Sequence, residues 1–281
     1  MTITGKAKIA GIVGWPVSHS LSPVLHSFWL DENRIDGALV PLAVRAQDFA
    51  GVILALKNAG FTGVNVTVPH KEAAFAIAHV ADDAAKAAGA ANLLLFTDKG
   101  IEARNTDAIG LSQSLKDVAL KGKKAVMIGT GGAARGAILA LDSLGASSVA
   151  VLGRNAARAG TLCSTLQSQA KTTLIPGGFE DWSAQAKDAA LLLNASAAGM
   201  GGNPGLPLDL AALPANAVVC DIVYSPLQTQ LLKDAGARGL KTLDGLGMLM
   251  HQAAPSFEGF FGVTPRVSDG LRAALERALA R

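Results

Sequence analysis

The sequence contains few cysteines, few aromatic residues and few charged residues. Of its 281 residues, two are cysteines, 5% are aromatic and 17% are charged. Cys163 and Cys220 are far apart and have no metal-ligand spacing, so we expect two free, buried thiols in a reducing compartment and no metal site. The lysines and arginines are scattered, and a formal net charge of +3 is mild. This pattern argues against nucleic-acid binding.

Long apolar segments are also lacking. No run approaches the roughly 20 apolar residues that a membrane-spanning helix needs. The first residues, MTITGKAKIAGIVG, lack the long apolar stretch and the cleavage site of a signal peptide. Internal repeats and low-complexity linkers are absent from the sequence. We therefore expect a soluble, cytoplasmic protein.

Short apolar runs alternate with longer amphipathic runs along the whole chain. Half of the residues are hydrophobic and 31 are glycine, which is ample material for a tightly packed α/β core. In the first series, brief runs bounded by glycine or proline predict buried strands, and helical spacing predicts helices between them. The predicted strands are 9–13, 38–44, 63–68 and 91–96, and the predicted helices are 23–33, 47–58 and 71–79. This alternation is typical of a parallel sheet with helices on both faces.

The pattern restarts near residue 107, which indicates a second domain. A helix is predicted for residues 107–120, and the end of the chain from residue 246 is again helical. The predicted strands of this second series are 125–128, 148–152, 191–194, 218–222 and 241–243. No flexible stretch marks the boundary, so the division depends on the restart of the pattern alone.

A glycine-rich turn follows the first strand of the second series. The order is a strand, then Gly129, Gly131, Gly132 and Ala134, then a helix predicted over 136–144. Gly129 suits the tight turn, Gly131 lets the backbone approach a pyrophosphate, and Ala134 lets the helix pack closely on the strand. The first N–H groups of the helix would face the phosphates. A purely structural turn has the same glycines, so this motif alone does not establish a cofactor site.

The residues after the next strand indicate which dinucleotide is bound. NAD-binding proteins usually have an acidic residue there for the ribose 2′-hydroxyl. In this sequence Arg154 lies near that position, and Arg158 follows one helical turn later. Guanidinium groups bind phosphate in bidentate fashion, so the pair favours NADP, with its 2′-phosphate, over NAD. Two solvated arginines after a strand are the alternative interpretation.

Polar residues follow the predicted strands of the first half, at the sheet edge where open α/β sheets bind ligands. Ser20 and Ser22 precede a helix that has Pro23 in its first turn, so Ser22 is predicted as the N-cap. Either serine could also offer its hydroxyl to a carboxylate. Asn65 and Thr67 share one face of a strand by strict alternation. Such a polar face needs hydrogen-bond partners, which a hydroxylated ligand would supply.

Lys71, Asn92 and Asp107 complete this polar set. Lys71 opens a helix, where a cation is mildly unfavourable, so a further role is indicated. An exposed surface lysine is the alternative interpretation. Asn92 opens a strand, and Asp107 opens a helix, where it could act as a simple N-cap.

Nine stretches in this order resemble the shikimate dehydrogenase family. The resemblance covers nearly the whole chain, and no single motif carries it. The stretches are GWPVSHSLSP (14–23), GFTGVNVTVPHK (60–71), GAAN (89–92), NTD (105–107), GTGGAAR (129–135), GRNAARA (153–159), NASAAGM (194–200), DIVYSPLQTQLL (221–232) and GLGMLMHQAA (245–254).

The resemblance implies a two-domain α/β fold and a reaction. Members have an N-terminal three-layer α/β domain that binds the substrate and a C-terminal Rossmann domain that binds NADP. The implied boundaries are residues 1–107, joined by closing helices in 246–281, and residues 108–245. Members reduce 3-dehydroshikimate to shikimate with NADPH, in the route to chorismate and the aromatic amino acids. The expected partners are thus small molecules, and the chain is expected to be a monomer or homodimer.

The resemblance also assigns roles to individual residues. Lys71 and Asp107 would be the catalytic pair and would contact the substrate. The remaining substrate-binding residues would be Ser20, Ser22 and Tyr224 for the carboxylate, and Asn65, Thr67, Asn92 and Gln252 for the ring hydroxyls. The cofactor-binding residues would be Gly129, Gly131, Gly132, Ala133, Ala134, Arg154, Asn155, Arg158, Ser196, Met200, Gly245 and Met248, with Ser196 and Met248 along the nicotinamide.

The sequence departs from the family pattern in three places, and two other functions stay open. Gly153-Arg154-Asn155 stands where the family usually has Asn-Arg-Thr after the second Rossmann strand, Leu93 replaces the threonine that commonly follows Asn92, and Ser196 replaces a usual threonine. A quinate or quinate/shikimate dehydrogenase is the alternative enzyme, although such relatives often favour NAD. A non-catalytic NADP or metabolite sensor is the alternative of another class, and it would be expected to lack Lys71 or Asp107.

Overall fold

The computed structural model describes residues 3–280, and its contacts divide the chain into two units. Unit 1 comprises Met1–Thr106 and Met250–Arg281, and unit 2 comprises Asp107–Leu249. Asp107 and residues 246–249, which were expected in the first domain, belong to unit 2. The reason is packing, because Leu111 and Met248 contribute to the hydrophobic core of unit 2.

Unit 1 is a six-stranded sheet with helices. Its elements are β1 (Lys8–Gly14), α1 (Ser22–Glu32), β2 (Gly37–Ala43), α2 (Phe49–Asn58), β3 (Gly63–Val66), α3 (Lys71–Ala76), β4 (Val80–Ala81), α4 (Asp83–Ala88), β5 (Leu93–Thr97) and β6 (Gly100–Arg104), followed after unit 2 by the later part of α10 (Gly245–Phe261) and by α11 (Asp269–Leu279). The predicted helix 71–79 ends earlier, at Ala76, and β4, α4 and β6 were not predicted.

The sheet of unit 1 is mixed, unlike the parallel sheet that the alternation predicted. Its strand order is β2-β1-β3-β5-β6-β4. The pairs β1–β2, β1–β3 and β4–β6 are parallel, whereas β5 runs antiparallel to both β3 and β6. Only residues 98–99 separate β5 from β6. So short a connection permits a hairpin but not the crossover that parallel neighbours need.

Unit 2 has the alternating order expected of a dinucleotide-binding domain. Its elements are α5 (Asp107–Ser114), β7 (Lys124–Ile128), α6 (Gly132–Ser143), β8 (Ser148–Gly153), α7 (Ala156–Leu166), β9 (Thr173–Gly178), α8 (Trp182–Ala186), β10 (Ala189–Asn194), β11 (Val218–Asp221), α9 (Gln230–Ala237), β12 (Lys241–Leu243) and the start of α10. The predicted helix 107–120 ends at Ser114, and α6 begins at Gly132, four residues before its predicted start at Gly136.

All strand pairs of unit 2 are parallel. The order is β12-β11-β10-β7-β8-β9, so the chain moves from β7 outward in one direction and then returns to β10 on the other side. This reversal creates a topological switch point beside β7, where doubly wound sheets bind their ligands. The strand interiors are fully buried and apolar, as in Val126, Val151 and Leu192. The expected two-domain α/β fold is confirmed.

Cys163 and Cys220 are free and buried, as predicted, and burial raises the pKa of the Cys163 thiol to about 11. Across residues 3–280, no helix combines the length and apolar character that crossing a membrane requires.

A histidine lies among aromatic rings in the core of unit 1. His26, on α1, is 0% exposed, and its ring centroid lies between 5.7 and 6.3 Å from those of Trp29, Phe257, Phe260 and Phe261. Neither ring nitrogen has a hydrogen-bond partner among residues 3–280. Burial in this apolar cluster lowers the pKa of His26 to about 3, because a charged imidazolium would lose its hydration there.

We expect the substitution His26→Phe to reduce the loss of stability on acidification. The pKa of about 3 in the folded state lies below the ordinary value of 6.5, so between these values only the unfolded chain binds this proton. Stability of the parent protein therefore falls as pH falls through that window, by up to about 1.4 kcal/mol per pH unit. Phenylalanine does not titrate, so urea unfolding from neutral pH to about pH 4 should show a shallower decline.

The matched control is His19→Gln, which removes an exposed histidine of the same unit. This variant keeps His26, so it should retain the decline in stability that His26 causes. Identical slopes for His26→Phe and the parent protein would contradict a neutral, buried His26.

Candidate active site

Ser20 and Ser22 lie together where the β1–α1 loop enters α1. The helix begins at Ser22, so the expectation that Ser22 is its N-cap is wrong: the cap position is Leu21, and no side chain caps this end. Pro23 does lie in the first turn, one position later than the prediction assumed. The backbone N–H of Ser22 donates to Oγ of Ser20 at 3.3 Å. Helix capping therefore does not account for the Ser22 hydroxyl.

Asn65, on β3, presents an unsatisfied acceptor in the interior of unit 1. Its side chain is 4% exposed, and Nδ2 donates to Oγ of Ser256 at 2.7 Å and to the backbone carbonyl of Asn92 at 3.3 Å. Because a carbonyl oxygen can only accept, this contact fixes the orientation of the amide. Oδ1 has no partner among the described residues. A ligand hydroxyl that donates to it would remove the cost of an unmet buried acceptor.

Asn92, Thr106 and Gln252 form a buried hydrogen-bond network. Oδ1 of Asn92 accepts from the backbone N–H of Thr106 at 2.8 Å, and Nδ2 donates to Oγ1 of Thr106 at 2.9 Å and to Oε1 of Gln252 at 3.1 Å. Thr106 also donates its hydroxyl to the carbonyl of Gln252 at 2.8 Å. The network joins the start of β5, the end of β6 and helix α10. Two residues predicted to bind the ring hydroxyls, Asn92 and Gln252, are thus brought together.

The loop after β3 is held by backbone and side-chain bonds. The N–H of Thr67 donates to the carbonyl of Val13 at 2.9 Å, and the carbonyl of Thr67 accepts from the N–H of His70 at 3.0 Å. His70 is 2% exposed, and its Nε2 lies 2.7 Å from the carbonyl of Val44, which requires Nε2–H as donor. Its ring stacks on Phe49 at 4.7 Å. His70 thereby fixes the start of α3.

Lys71 is the first residue of α3 and is partly exposed. Its carbonyl accepts from the N–H of Ala91 at 2.8 Å, and the carbonyl of Asn92 accepts from the N–H of Val66 at 2.8 Å. The first bond ties Lys71 to the segment that carries Asn92, and the second ties that segment to β3. Unit 1 therefore brings together Lys71, Asn92 and Gln252, with Asn65 bonded to the same segment.

The glycine turn of unit 2 packs closely on the neighbouring strand at Gly129 and is open at Gly131. Gly129 has φ +130°, and a Cβ there would lie 2.7 Å from the carbonyl oxygen of Ala195 on the neighbouring strand end. Gly131 is the N-cap of α6, and a Cβ there would meet open space. Gly132 and Ala133 form the first turn of this 12-residue helix, and Ala134 is 0% exposed against the sheet. A pyrophosphate could therefore approach these N–H groups.

Arg154 and Arg158 are exposed at the carboxyl end of β8. Asn155, between them, is the N-cap of α7, and its Oδ1 accepts from the N–H of Arg158 at 3.2 Å. Within residues 3–280, neither guanidinium group is engaged in an ion pair. The cap accounts for Asn155 structurally, while the two free cations are available to an anionic ligand.

The strand ends of β10 and β11 carry the next group of predicted residues. Ser196 follows β10, and its hydroxyl donates to Oδ1 of Asn194 at 2.7 Å. Tyr224 follows β11 and is partly exposed, as is Met200. Asp221, the last residue of β11, is 0% exposed and accepts from Asn194 at 2.9 Å. The loops that carry Ser196 and Tyr224 are therefore connected through Asn194 and Asp221.

Gly245, Met248 and Asp107 lie at helix starts in unit 2. A Cβ on Gly245 would be 2.2 Å from the carbonyl oxygen of Ile222, so close backbone packing alone requires glycine there. Met248 is 8% exposed and packs in the core of the unit. Asp107 is 3% exposed and opens α5 directly after Thr106, whose backbone N–H is bonded to Asn92.

Several polar residues that organise the site were not predicted. His70, Thr106, Ser256, Asn194 and Asp221 are all buried and polar. All of these except Ser256 lie within the nine stretches that resemble the family. Whether such a residue faces a ligand or another side chain depends on tertiary contacts, which the sequence does not specify. Among residues 3–280, no group of three or more histidine, cysteine, aspartate or glutamate side chains could hold a metal ion.

Comparison with known families covers both units. Residues 12–94 match the family of the shikimate dehydrogenase substrate binding domain, and residues 111–198 match the shikimate / quinate 5-dehydrogenase family. The NADP(+) shikimate dehydrogenase of Paramagnetospirillum magneticum is 47% identical over 280 residues, covering 96% of this chain and 99% of the relative.

Solved structures with similar folds include two with different ligands. Shikimate 5-dehydrogenase from Thermus thermophilus, in complex with NADP(H) and shikimate, has a TM-score of 0.84 and 33% identity, covering 98% of this chain and 99% of that one. Quinate dehydrogenase from Corynebacterium glutamicum, in complex with NAD, has a TM-score of 0.87 and 26% identity, with coverages of 98% and 99%. On the family matches and the full-length identity, this chain belongs to the shikimate dehydrogenase family.

Proposed function

We propose that this chain catalyses the reversible, NADPH-dependent reduction of 3-dehydroshikimate to shikimate, a step toward chorismate and the aromatic amino acids. The observation that carries the proposal is the buried amide cluster of unit 1, where Asn92 bonds to Gln252 and Oδ1 of Asn65 has no partner within the described range 3–280. Such a cluster suits a ligand with several hydroxyl groups. The 47% identity to an NADP(+) shikimate dehydrogenase supports the same substrate.

The residues of unit 2 fit NADP. Open space at Gly131 and the N-terminus of α6 suit a pyrophosphate, and the exposed Arg154 and Arg158 suit a 2′-phosphate. When bound, NADPH supplies the hydride. We assign the remaining cofactor contacts to Gly129, Gly132, Ala133, Ala134, Asn155, Ser196, Met200, Gly245 and Met248.

We assign the substrate carboxylate to Ser20, Ser22 and Tyr224. The serines lie at the N-terminus of the 11-residue helix α1, whose dipole favours a negative charge. The ring hydroxyls are assigned to Asn65, Thr67, Asn92 and Gln252. Residues 1–106 with 250–281 are thus the substrate-binding domain in this proposal, and residues 107–249 are the cofactor-binding domain.

Lys71 and Asp107 are proposed as the catalytic pair. Reduction of the ketone leaves negative charge on its oxygen, and that oxygen must receive a proton. The ammonium group of Lys71 stabilises the developing charge and donates the proton. Asp107 orients Lys71 and balances its charge. The N–H of Ala91 donates to the carbonyl of Lys71, which ties the backbone of Lys71 to the segment that carries Asn92. Asp107 follows Thr106, whose N–H donates to Oδ1 of Asn92.

Two properties outside the reaction are also part of the proposal. We infer a cytoplasmic location from the buried free thiols of Cys163 and Cys220, which suit a reducing compartment. We propose that the protein works as a monomer or a homodimer.

Replacing Lys71 by alanine should remove most of the turnover. We expect kcat to fall by roughly 10²-fold or more, with little change in the KM for shikimate, because the proton donor acts chiefly in the transition state. Initial rates of NADP reduction with shikimate measure both constants. The control is Lys86→Ala, which removes an exposed lysine of the same unit that is paired with Asp83. Unchanged turnover in Lys71→Ala would exclude Lys71 from the mechanism.

Replacing Arg154 or Arg158 by serine should weaken NADP selectively. Each charge-assisted bond to the 2′-phosphate contributes about 1.5–3 kcal/mol, so we expect the KM for NADP to rise roughly tenfold or more in each variant. The KM for NAD should change little, because NAD lacks this phosphate. Arg277→Ser, on the exposed face of α11, is the control. A parallel rise for both cofactors would contradict this assignment.

The second candidate is a quinate or quinate/shikimate dehydrogenase. The structural similarity to the NAD-bound quinate dehydrogenase supports it, whereas Arg154 and Arg158 favour NADP. Absorbance of the reduced nicotinamide, followed with shikimate or quinate and with NADP or NAD, separates the two. A larger kcat/KM for quinate with NAD would overturn our proposal. A non-catalytic sensor would give no turnover with any pair.

A further inference from the structure

Asp221 is a buried carboxylate that none of the proposed catalytic or binding roles uses. It is the last residue of β11 and is 0% exposed. In the parallel register of the sheet it lies opposite Asn194, the last residue of β10. Burial raises the pKa of Asp221, which reflects the unfavourable loss of water around its charge. A buried charge is not an efficient source of stability, so its presence here calls for another explanation.

Three donors converge on this carboxylate, one from the end of β10 and two from opposite ends of the loop 222–229. Nδ2 of Asn194 and the backbone N–H of Val223 donate to Oδ1 at 2.9 and 3.0 Å. Oγ1 of Thr229 donates to Oδ2 at 2.7 Å. Thr229 is also the N-cap of α9, where its hydroxyl accepts from the N–H of Leu232. Asp221 therefore fixes both ends of the segment 222–229, which carries Tyr224.

Asn194 extends the same network into the preceding loop. Its Oδ1 accepts from the backbone N–H of Ser196 at 3.0 Å and from the Ser196 hydroxyl at 2.7 Å. Because Oδ1 is committed to an N–H donor, Nδ2 must point toward Asp221. The Ser196 hydroxyl in turn accepts from the N–H of Ala198 at 3.2 Å. The carboxylate of Asp221 thus fixes the orientation of the Asn194 side chain, which in turn holds Ser196 in the loop 195–200.

These two loops follow neighbouring strands at the carboxyl edge of the sheet, where open α/β sheets bind their ligands. We propose that Asp221 is a positioning residue, which holds the Ser196–Met200 loop and the Tyr224 segment in the single arrangement that binds NADP and the substrate carboxylate. This inference rests on the proposed function of the chain. It assigns Asp221 no contact with either ligand.

The test compares Asp221→Leu with the conservative Asp221→Asn. Leucine has a similar volume but accepts no hydrogen bond, so both loops lose their anchor. Asparagine retains Oδ1 for Asn194 and Val223 and can donate its amide to Thr229, so it should largely rescue function. Misplacement of a site by about 1 Å can cost roughly 10²-fold in rate. We expect Asp221→Leu to lower kcat/KM by about that factor and to raise the KM for NADP and the KM for shikimate. The kcat/KM of Asp221→Asn should stay within about tenfold of the parent value.

Binding measured without turnover separates positioning from simple stabilisation. Calorimetric titration with NADP+ should give a Kd at least roughly tenfold higher for Asp221→Leu, at a temperature well below its Tm. Thr229→Val removes one of the three donors and should raise the Kd for NADP+ by a smaller factor. This variant replaces Asp221→Leu in the test if Asp221→Leu does not fold. The control is Asp142→Asn, a carboxylate of the same unit that accepts from the N–H of Thr172 at 2.7 Å, and its Kd and KM values should match the parent.

The outcomes distinguish this inference from the proposed function. If the parent protein does not oxidise shikimate with NADP, the proposed function fails. If the parent is active, but Asp221→Leu and Thr229→Val lower only Tm and leave Kd and both KM values unchanged, then Asp221 is structural and the inference is overturned. Raised Kd and KM values with partial rescue by asparagine support it.

Discussion

Buried amide side chains at strand ends are the constraint on which both units depend. In unit 1, Asn92 bonds to Thr106 and Gln252, and Asn65 bonds to Ser256 and to the backbone of Asn92. In unit 2, Asn194 bonds to Ser196 and Asp221. An amide has a donor side and an acceptor side, so each backbone partner fixes its orientation. A misplaced strand end would leave these groups unsatisfied in the interior, which is expensive.

The polar groups at the strand ends are satisfied to different extents in the two units. Among residues 3–280, Oδ1 of Asn65 has no hydrogen-bond partner, so unit 1 retains a buried acceptor that a ligand can satisfy. In unit 2, each carboxylate oxygen of Asp221 accepts from at least one donor of the protein. Asp221 therefore shapes the neighbouring loops and offers no unsatisfied oxygen to a ligand. The unsatisfied acceptor of Asn65 suits direct contact with a substrate, whereas the satisfied network of Asp221 suits the positioning of other residues that contact a ligand.

Much of the fold follows from periodicity in the sequence. The strands that hold the glycine turn and the two arginines were predicted within a residue or two, because buried parallel strands are short apolar runs with clear ends. The β5–β6 hairpin was missed, because Glu102 and Arg104 interrupt the apolar pattern at an outer position of the sheet. Likewise, the N-cap of α1 lay one residue before the serine whose side-chain chemistry suggested it.

The site was less predictable than the fold, and the reason is physical. The hypothesis that Arg154 and Arg158 bind a phosphate could be made from their spacing after a strand. It depends on exposed charges and not on contacts with distant residues. Asp221 could not, because its significance comes from donors that lie 27 residues before it and eight residues after it. His26 shows the opposite case, since its buried ring nitrogens have no hydrogen-bond partner in the part of the chain that the structure describes. Sequence marks which residues can ionise or bond, whereas burial and partners decide whether that capacity is met by the protein or left for a ligand.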